Sequence, residues 1–266
     1  MAASPVPDLP LIVATLRAAG CVFAEDEAAL LVGAARTPGE LATMIGQRVA
    51  GRPLEHVVGW AEFCGLRVAV DVGVFVPRRR TEFLVEQAVA LAGGRPDVVV
   101  LDLCCGAGAL GLALSSRLPR VELHAADLET AAVRCARRNL DPVGGHVYAG
   151  DLFAPMPASL RGRVDVLVAN VPYVPTGEIA LLPAEARLHE PRVTLDGGAD
   201  GLDVLRRVAS AAPHWLAPGG HLLIETSERQ ADAAAEAFAR AGLVARVVAD
   251  DDRGASVVIG HPRDAG

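Results

Sequence analysis

Four consecutive residues, Asn170-Val171-Pro172-Tyr173, bring together a side-chain amide, an unhindered main-chain carbonyl, a ring that fixes φ and an aromatic face. They follow the apolar run Val164-Asp165-Val166-Leu167-Val168-Ala169, which reads as a buried strand. In open α/β sheets, ligands bind beyond the carboxyl ends of the strands. Asn170 can accept a hydrogen bond through its side-chain oxygen, and Val171 can accept one through its carbonyl. Tyr173, with Pro172, can cover a flat group. Two acceptors beside a flat cover suit a planar group that carries an NH2. The chemistry to look for is therefore reaction at an amide or amine nitrogen.

A second constellation is the loop Cys104-Cys105-Gly106-Ala107-Gly108, which follows the apolar run Val98–Asp102. Gly106 and Gly108 let the backbone pass close to a ligand, and the helix that follows points amide N–H groups at it. Asp127 ends the next predicted strand, where a carboxylate can take both hydroxyls of a ribose. Gly106, Gly108 and Gly111 also satisfy G-x-G-x-x-G, the dinucleotide pattern. Asp102 argues against that ligand, because a carboxylate at the strand end repels a pyrophosphate. It suits the ammonium group of an amino-acid tail, as in S-adenosylmethionine. Asp151, after Gly150, is placed to receive an adenine amine. Its alternative is a simple turn aspartate.

These residues need a scaffold of strands and helices. Leu9, Ile12, Val13 and Leu16 repeat at helical spacing before Gly20, and Ala28, Leu31, Val32 and Ala35 make a second stripe. Thr37-Pro38-Gly39-Glu40 has the form of a capping box with Pro at the first helical position, which predicts a third helix through Val49, ended by Gly51. Alternation over 61–76 predicts a β-hairpin. A helix starts near Thr81-Glu82, with Phe83, Leu84 and Ala88 inward. From Val98 the pattern becomes strand, helix, strand, helix: a helix through Leu118, a strand Val121–Ala126, a helix capped by Thr130, and short strands at His146–Ala149 and Val164–Ala169. Pro218-Gly219-Gly220 reads as a turn feeding the strand His221–Glu225. Ala231–Ala241 is a helix, and Val244–Ala249 with Ser256–Ile259 form a closing hairpin. Alternating units predict an α/β fold with a mostly parallel sheet and helices on both faces, the hairpin adding one antiparallel strand.

Composition narrows the classes. The formal charge of −7 argues against a dedicated nucleic-acid binder, although Arg78-Arg79-Arg80 and Arg134, Arg137 and Arg138 cluster locally. No apolar run reaches membrane-spanning length, and Met1-Ala2-Ala3-Ser4-Pro5 lacks the basic start and apolar stretch of a signal peptide. Five cysteines without a C-x-x-C pair indicate neither a disulfide framework nor a zinc site. The adjacent Cys104 and Cys105 read as small residues in a tight loop rather than a redox pair. A cytoplasmic, reduced protein is the expectation.

Several motifs in order resemble the release-factor glutamine-N(5) methyltransferase family. They are the Pro77–Glu82 segment, V-L-D-L-C-C-G-A-G-A-L from Val100, Asp127, G-D-L-F at Gly150–Phe153, A-N-V-P-Y, His189-Glu190-Pro191, D-G-G-A-D-G-L-D at Asp196–Asp203, L-A-P-G-G-H-L-L-I-E, and the closing V-V-I-G. The resemblance implies a Rossmann-like seven-stranded methyltransferase domain with a small N-terminal helical domain that helps to hold a protein substrate. On this chain the expected division is 1–58 for the helices, 59–80 for a hairpin linker and 81–266 for the methyltransferase domain. It implies S-adenosylmethionine as cofactor, and as acceptor a glutamine amide in a protein such as a peptide chain release factor. The family's cofactor loop falls on Cys104, Cys105, Gly106, Ala107 and Gly108. Its ribose-binding acid falls on Asp127, beside Leu128, and its adenine-contacting position on Leu152, beside Asp151. Its Asn-Pro-Pro-Tyr motif falls on Asn170–Tyr173, with Asn170 also against the cofactor. Here Val171 replaces the first Pro, Cys104-Cys105 stands where Gly-Thr is usual, and no Pro follows Arg78.

The mechanism this predicts is direct displacement. Asn170 Oδ1 and the Val171 carbonyl each accept one amide hydrogen, while Pro172 and Tyr173 wall the amide plane, so no perturbed general base is needed. Three rivals stand beside it. They are methylation of another amide or exocyclic amine, including a flipped adenine, by the same site, a nicotinamide dehydrogenase, and a non-catalytic S-adenosylmethionine binder. The His189-Glu190-Pro191 segment is expected to shape a loop over the site.

Overall fold

The computed structural model describes residues 8–263, so the stretch Met1–Pro5 lies outside the described residues. Four helices come first: α1 Leu9–Ala18, α2 Ala24–Ala34, α3 Pro38–Val49 and a short α4 Leu54–Val58 that periodicity does not reveal. Ile12, Leu16, Ala28, Leu31, Leu41 and Met44 form a core of their own. Leu9 and Val32, expected on the inner stripes, are exposed. At α3 the Thr37 hydroxyl accepts the Glu40 N–H at 3.1 Å, and Glu40 Oε2 accepts the Arg36 N–H at 2.8 Å. The reciprocal bond thus reaches one residue further back than in the usual capping box.

The hairpin is shorter than the alternation predicts. β1 Trp60–Phe63 pairs with β2 Leu66–Ala69. The turn residues Cys64 and Gly65 both have positive φ, 53° and 76°, as a two-residue type I′ turn requires. Beyond Ala69 the pairing ends with the Val70 N–H, which donates to the Gly59 carbonyl at 3.0 Å; Val74 and Val76 continue the alternation as burial in the main core, outside the described strands. α5 Glu82–Ala92 buries Phe83, Leu84 and Ala88 as expected.

The remaining chain alternates β3 Val98–Leu103, α6 Ala109–Arg117, β4 Val121–Asp127, α7 Thr130–Leu140, β5 His146–Ala149, β6 Val164–Ala169, α8 Ala184–His189, α9 Asp203–Ala211, β7 Leu216–Thr226, α10 Ala231–Arg240, β8 Leu243–Asp250 and β9 Ala255–Pro262. Thr130 is the first helical residue of α7 and makes no cap bond, since Glu129 occupies the cap position. Pro218-Gly219-Gly220 is no turn. It lies inside β7, where the pairing jumps from Val164↔Leu216 to Val166↔His221 and the extra residues form a bulge.

Seven strands make one sheet in the order β5-β4-β3-β6-β7-β9-β8, in which β9 alone runs opposite to the other six. Side chains alternate across it. Val100, Val166 and Val168 pack with α5, α6 and α7, while Leu101, Leu103 and Leu167 pack with α9 and α10. The order reverses at β3, whose successors β4 and β6 lie on opposite sides, and a crevice opens at such a switch point. Among the described residues, no helix is long and apolar enough to cross a membrane.

Candidate active site

Strand register assembles the site. Leu103 on β3 lies level with Ala126 on β4 and with Ala169 on β6, and Asp127 lies level with Ala149 on β5. The segments after these four strand ends therefore emerge side by side, although they are up to 66 residues apart in the chain. Between them is an open cleft whose empty space, counted together with the solvent at its mouth, is about 1030 Å³. Cys104–Ala107, Asp127, Leu128, Asp151, Leu152, Asn170 and Pro172 all line it.

The glycine loop is bent by left-handed residues: φ is 54° at Cys104, 56° at Gly106 and 79° at Gly108. A Cβ on Gly108 would meet Leu140 Cδ1 at 2.9 Å, so this position needs glycine for space as well as for φ. Asp127 holds the loop in place. Its Oδ2 accepts the Gly106 N–H and its Oδ1 the Glu129 N–H, both at 2.8 Å. Each oxygen keeps capacity for a hydroxyl. Burial pushes this carboxyl above its ordinary range, against the pull of the backbone N–H groups. Leu152, on the opposite wall, also has positive φ, 50°. Such strain in a branched residue on a cleft wall is characteristic of functional loops.

Two acidic residues are placed otherwise than expected. Asp102 does not line the cleft. It is wholly buried and turned toward α6, where Oδ2 accepts the Gly111 N–H at 3.0 Å and Oδ1 has no partner. Burial pushes it up to about 7. A side chain so enclosed does not reach a ligand's ammonium group directly. Asp151 is on the cleft wall, but its Oδ2 takes Arg207 Nη2 of α9 at 2.5 Å, which leaves Oδ1 for an incoming amine.

The tetrapeptide lies at the tip of β6. Asn170 and Pro172 face the cleft, whereas Val171 is buried in the core on the α9 and α10 side of the sheet. Among the described residues, neither the Asn170 side chain nor the Val171 carbonyl makes an internal hydrogen bond. Tyr173 is not on the cleft wall. It lines an adjoining groove with Val174, Leu182 and Gln230, and its hydroxyl accepts a hydrogen bond from Arg80. Burial raises its phenol, against the lowering effect of Arg80.

The basic run Arg78-Arg79-Arg80 is not a free patch. Arg78 pairs with Glu190 at 2.5 Å and Arg80 with Glu225 at 3.1 Å, and both carboxylates are buried. Glu190 also accepts the Val76 N–H at 3.3 Å, and burial raises its carboxyl. His189-Glu190-Pro191 thus ties the loop to the linker, a role that goes beyond shaping a cover. Arg138 pairs with Asp71, and Arg137 donates to the Val147 carbonyl. The cleft also includes Phe63, Phe75, Thr81, Val204 and Arg207, which sequence reasoning did not select. Their only signal is contact across the fold.

A family model described as "Methyltransferase small domain" matches residues 66–198. A ribosomal protein L11 methylase of Lactobacillus delbrueckii superposes with TM-score 0.53 at 15% identity, covering 74% of this chain and 85% of that one. That likeness shows the fold. The 4-amino-L-phenylalanine/4-methylamino-L-phenylalanine methyltransferase of Streptomyces pristinaespiralis is 36% identical, over 70% of this chain and 65% of that protein. The release factor glutamine methyltransferase of Geobacter sulfurreducens is 37% identical over 228 residues, which are 84% of this chain and 78% of that protein. With that identity sustained over most of both lengths, the chain belongs to the release factor glutamine methyltransferase family.

Proposed function

We propose that this chain methylates the side-chain amide nitrogen of a glutamine in a peptide chain release factor, with S-adenosylmethionine bound in the cleft. The observation that carries the reading is the uncommitted Asn170 side chain on the cleft wall where β6 ends, with the Val171 carbonyl next to it in the chain and not itself on that wall. The cleft residues fit the cofactor. Asp127 has capacity for both ribose hydroxyls, Leu128 and Leu152 flank a base, and Asp151 Oδ1 can accept its amine. Cys104–Gly108 let the backbone approach the tail. When bound, the cofactor supplies a sulfonium methyl group.

An amide nitrogen is a weak nucleophile because its lone pair is delocalised. Asn170 and Val171 each accept one of its hydrogens, which orients the nitrogen and stabilises the positive charge that grows on it. Pro172 closes one side, while Arg80 holds Tyr173 in the adjoining groove. The proton leaves to water after transfer; Asp102, its carboxyl pushed up to about 7, is too enclosed to take it. In this reading residues 1–58 hold the protein substrate, 59–80 link and 81–266 carry the chemistry. The separate core of the first helices supports that division, and Arg48 of α3 ties them to Glu185 of α8, beyond the tetrapeptide. A substrate that acts in translation places the reaction in the cytoplasm.

The test is incubation with methyl-labelled S-adenosylmethionine and a release factor, followed by mass spectrometry of the labelled peptide. A methyl group on a glutamine amide is the expected result. Label on lysine or nucleic acid, or no transfer while the cofactor binds, refutes the proposal. The Streptomyces relative favours a second reading, an amine on an aromatic ring. Offering 4-aminophenylalanine in the same assay separates the two.

A further inference from the structure

We propose that Gln230 is a positioning residue for the methyl acceptor, holding the main chain of the Asn170–Tyr173 loop through the Tyr173 carbonyl. The inference rests on the amide-acceptor reading above and extends it to a residue outside the cleft.

Gln230 follows the end of β7 and precedes α10. Its Nε2 donates to the Tyr173 carbonyl and to the Asp200 carbonyl, both at 2.9 Å. Its Oε1 accepts the Ser227 hydroxyl at 2.5 Å. Both N–H groups are thus committed to carbonyls, and a flipped amide would set oxygen against oxygen. Among the described residues, Gln230 is the one donor to the Tyr173 carbonyl.

The surrounding backbone is built around this bond. A Cβ on Gly201 would lie 2.2 Å from the Tyr173 oxygen and 2.3 Å from Gln230 Nε2, and Gly201 has φ +80°. A Cβ on Gly197 would lie 2.6 Å from the Pro172 oxygen. Val174 donates to the Leu195 carbonyl at 3.0 Å and accepts the Gly197 N–H at 2.9 Å. The segment Leu195–Asp203 therefore lies flat against the back of the tetrapeptide, and Gln230 joins the two. Gln230 lines the groove beside Tyr173 and not the cofactor cleft.

The consequence is kinetic. The two acceptors that hold the amide belong to residues 170 and 171, and the fixed carbonyl is two residues further on. Loosening it by a fraction of an ångström misaligns the nitrogen with the methyl carbon, and misplacement of about 1 Å costs on the order of 100-fold in rate. The cofactor's own contacts are untouched.

The experiment compares the parent with Gln230→Met, Gln230→Glu and Ser227→Ala. It measures methyl transfer to release-factor glutamine, S-adenosylmethionine binding by calorimetry, and melting temperature. Gln230→Met is expected to lower kcat by about 10–100-fold with the cofactor Kd within about twofold. Gln230→Glu is expected to match it near neutral pH. Relative to the parent, it recovers as pH falls toward about 5 and below, because the two carbonyl oxygens that face the position disfavour the carboxylate and the protonated carboxyl again donates to one of them. Ser227→Ala removes only the bond to Oε1 and should cost a smaller share of kcat. It keeps the test decisive if the Gln230 variants lose the cofactor through misfolding. Glutamine variants with kcat within about threefold of an active parent, a Gln230→Glu to parent ratio that is flat with pH, or, where both fail to fold, unchanged kcat in Ser227→Ala, each overturn the inference alone. A parent that binds cofactor and transfers nothing overturns the proposed function as well.

Discussion

Replacing Asp102 with Asn should reverse the order of stability of the two proteins between acid and neutral pH. In the folded chain the Asp102 carboxyl is pushed up to about 7 from 3.8 by burial, with Asp127 adding to the shift and the Gly111 N–H opposing it. Below about pH 4 both folded and unfolded states carry the proton, and the group costs nothing. From there to about pH 7 the unfolded chain ionises while the folded one holds its proton, so stability falls as pH rises. About three pH units at about 1.4 kcal/mol each give a loss of about 4 kcal/mol, complete above the folded value. Asparagine cannot ionise, so that variant escapes the loss. It pays a fixed penalty instead: the neutral acid leaves one O–H unpaired at Oδ1, whereas an NH2 there leaves two N–H groups unpaired, a further cost of about 1–3 kcal/mol. The variant should therefore be the weaker protein near pH 4 and the stronger by about 1–3 kcal/mol near pH 8. Urea unfolding of both across that range reads the difference directly, because every other titrating group is shared. Parallel stability profiles would refute the picture of a neutral, enclosed carboxylic acid.

Asn170→Ala should bind S-adenosylmethionine within a few-fold of the parent and lose about 100-fold or more in kcat, as calorimetry and methyl transfer would show; equal turnover excludes the amide clamp. Gly108→Ala should lose about 2–4 kcal/mol in thermal unfolding, from a left-handed φ of 79° together with overlap on Leu140. Arg48→Met leaves Glu27, whose side chain is 10% exposed, as an unpaired buried charge and should cost about 3–5 kcal/mol in urea unfolding. Adding Glu27→Leu should recover most of that loss, and no recovery would mean that Arg48 acts through packing.

The sheet was legible because each of its strands carries its own pattern. Val98–Leu103, His146–Ala149 and Val164–Ala169 are short apolar runs between turn residues, and local pattern suffices to find them. The positions of the tetrapeptide and the glycine loop at strand ends were legible for the same reason, since the pattern supplies those ends. The errors have one cause, which is that pairing and side-chain direction depend on neighbours. The alternation at Val70–Val76 reports a buried face, and only the lack of a partner strand decides that it is no strand. Asp102 sits where an ammonium group would be welcome, yet its side chain turns to the Gly111 N–H. Tyr173 stands next to Asn170 in sequence, but Arg80 draws its hydroxyl into a different groove. Arg207 and Gln230 were invisible because their partners are 56 and 57 residues away.

The same dependence explains how Val171 can stand where the resemblance leads one to expect proline. A proline there would restrict φ and hold the carbonyl that the acceptor needs. Val171 loses that ring but keeps two other restraints. Pro172 follows it, and a residue before proline is confined to extended conformations. Val171 itself is 1% exposed in the core on the α9 and α10 side of the sheet, so rotation about φ would pull a branched group out of packed core. Downstream, the Val174↔Asp196 bridge and Gln230 fix the exit of the loop. Rigidity that one ring supplies covalently is supplied here by packing on one side and hydrogen bonds on the other. It follows that Val171→Pro should change turnover by no more than a few-fold, whereas Val171→Gly, which keeps the carbonyl but removes both core anchor and branching, should lower kcat much further. If the two variants lost activity alike, the carbonyl's position would not be what packing at residue 171 controls.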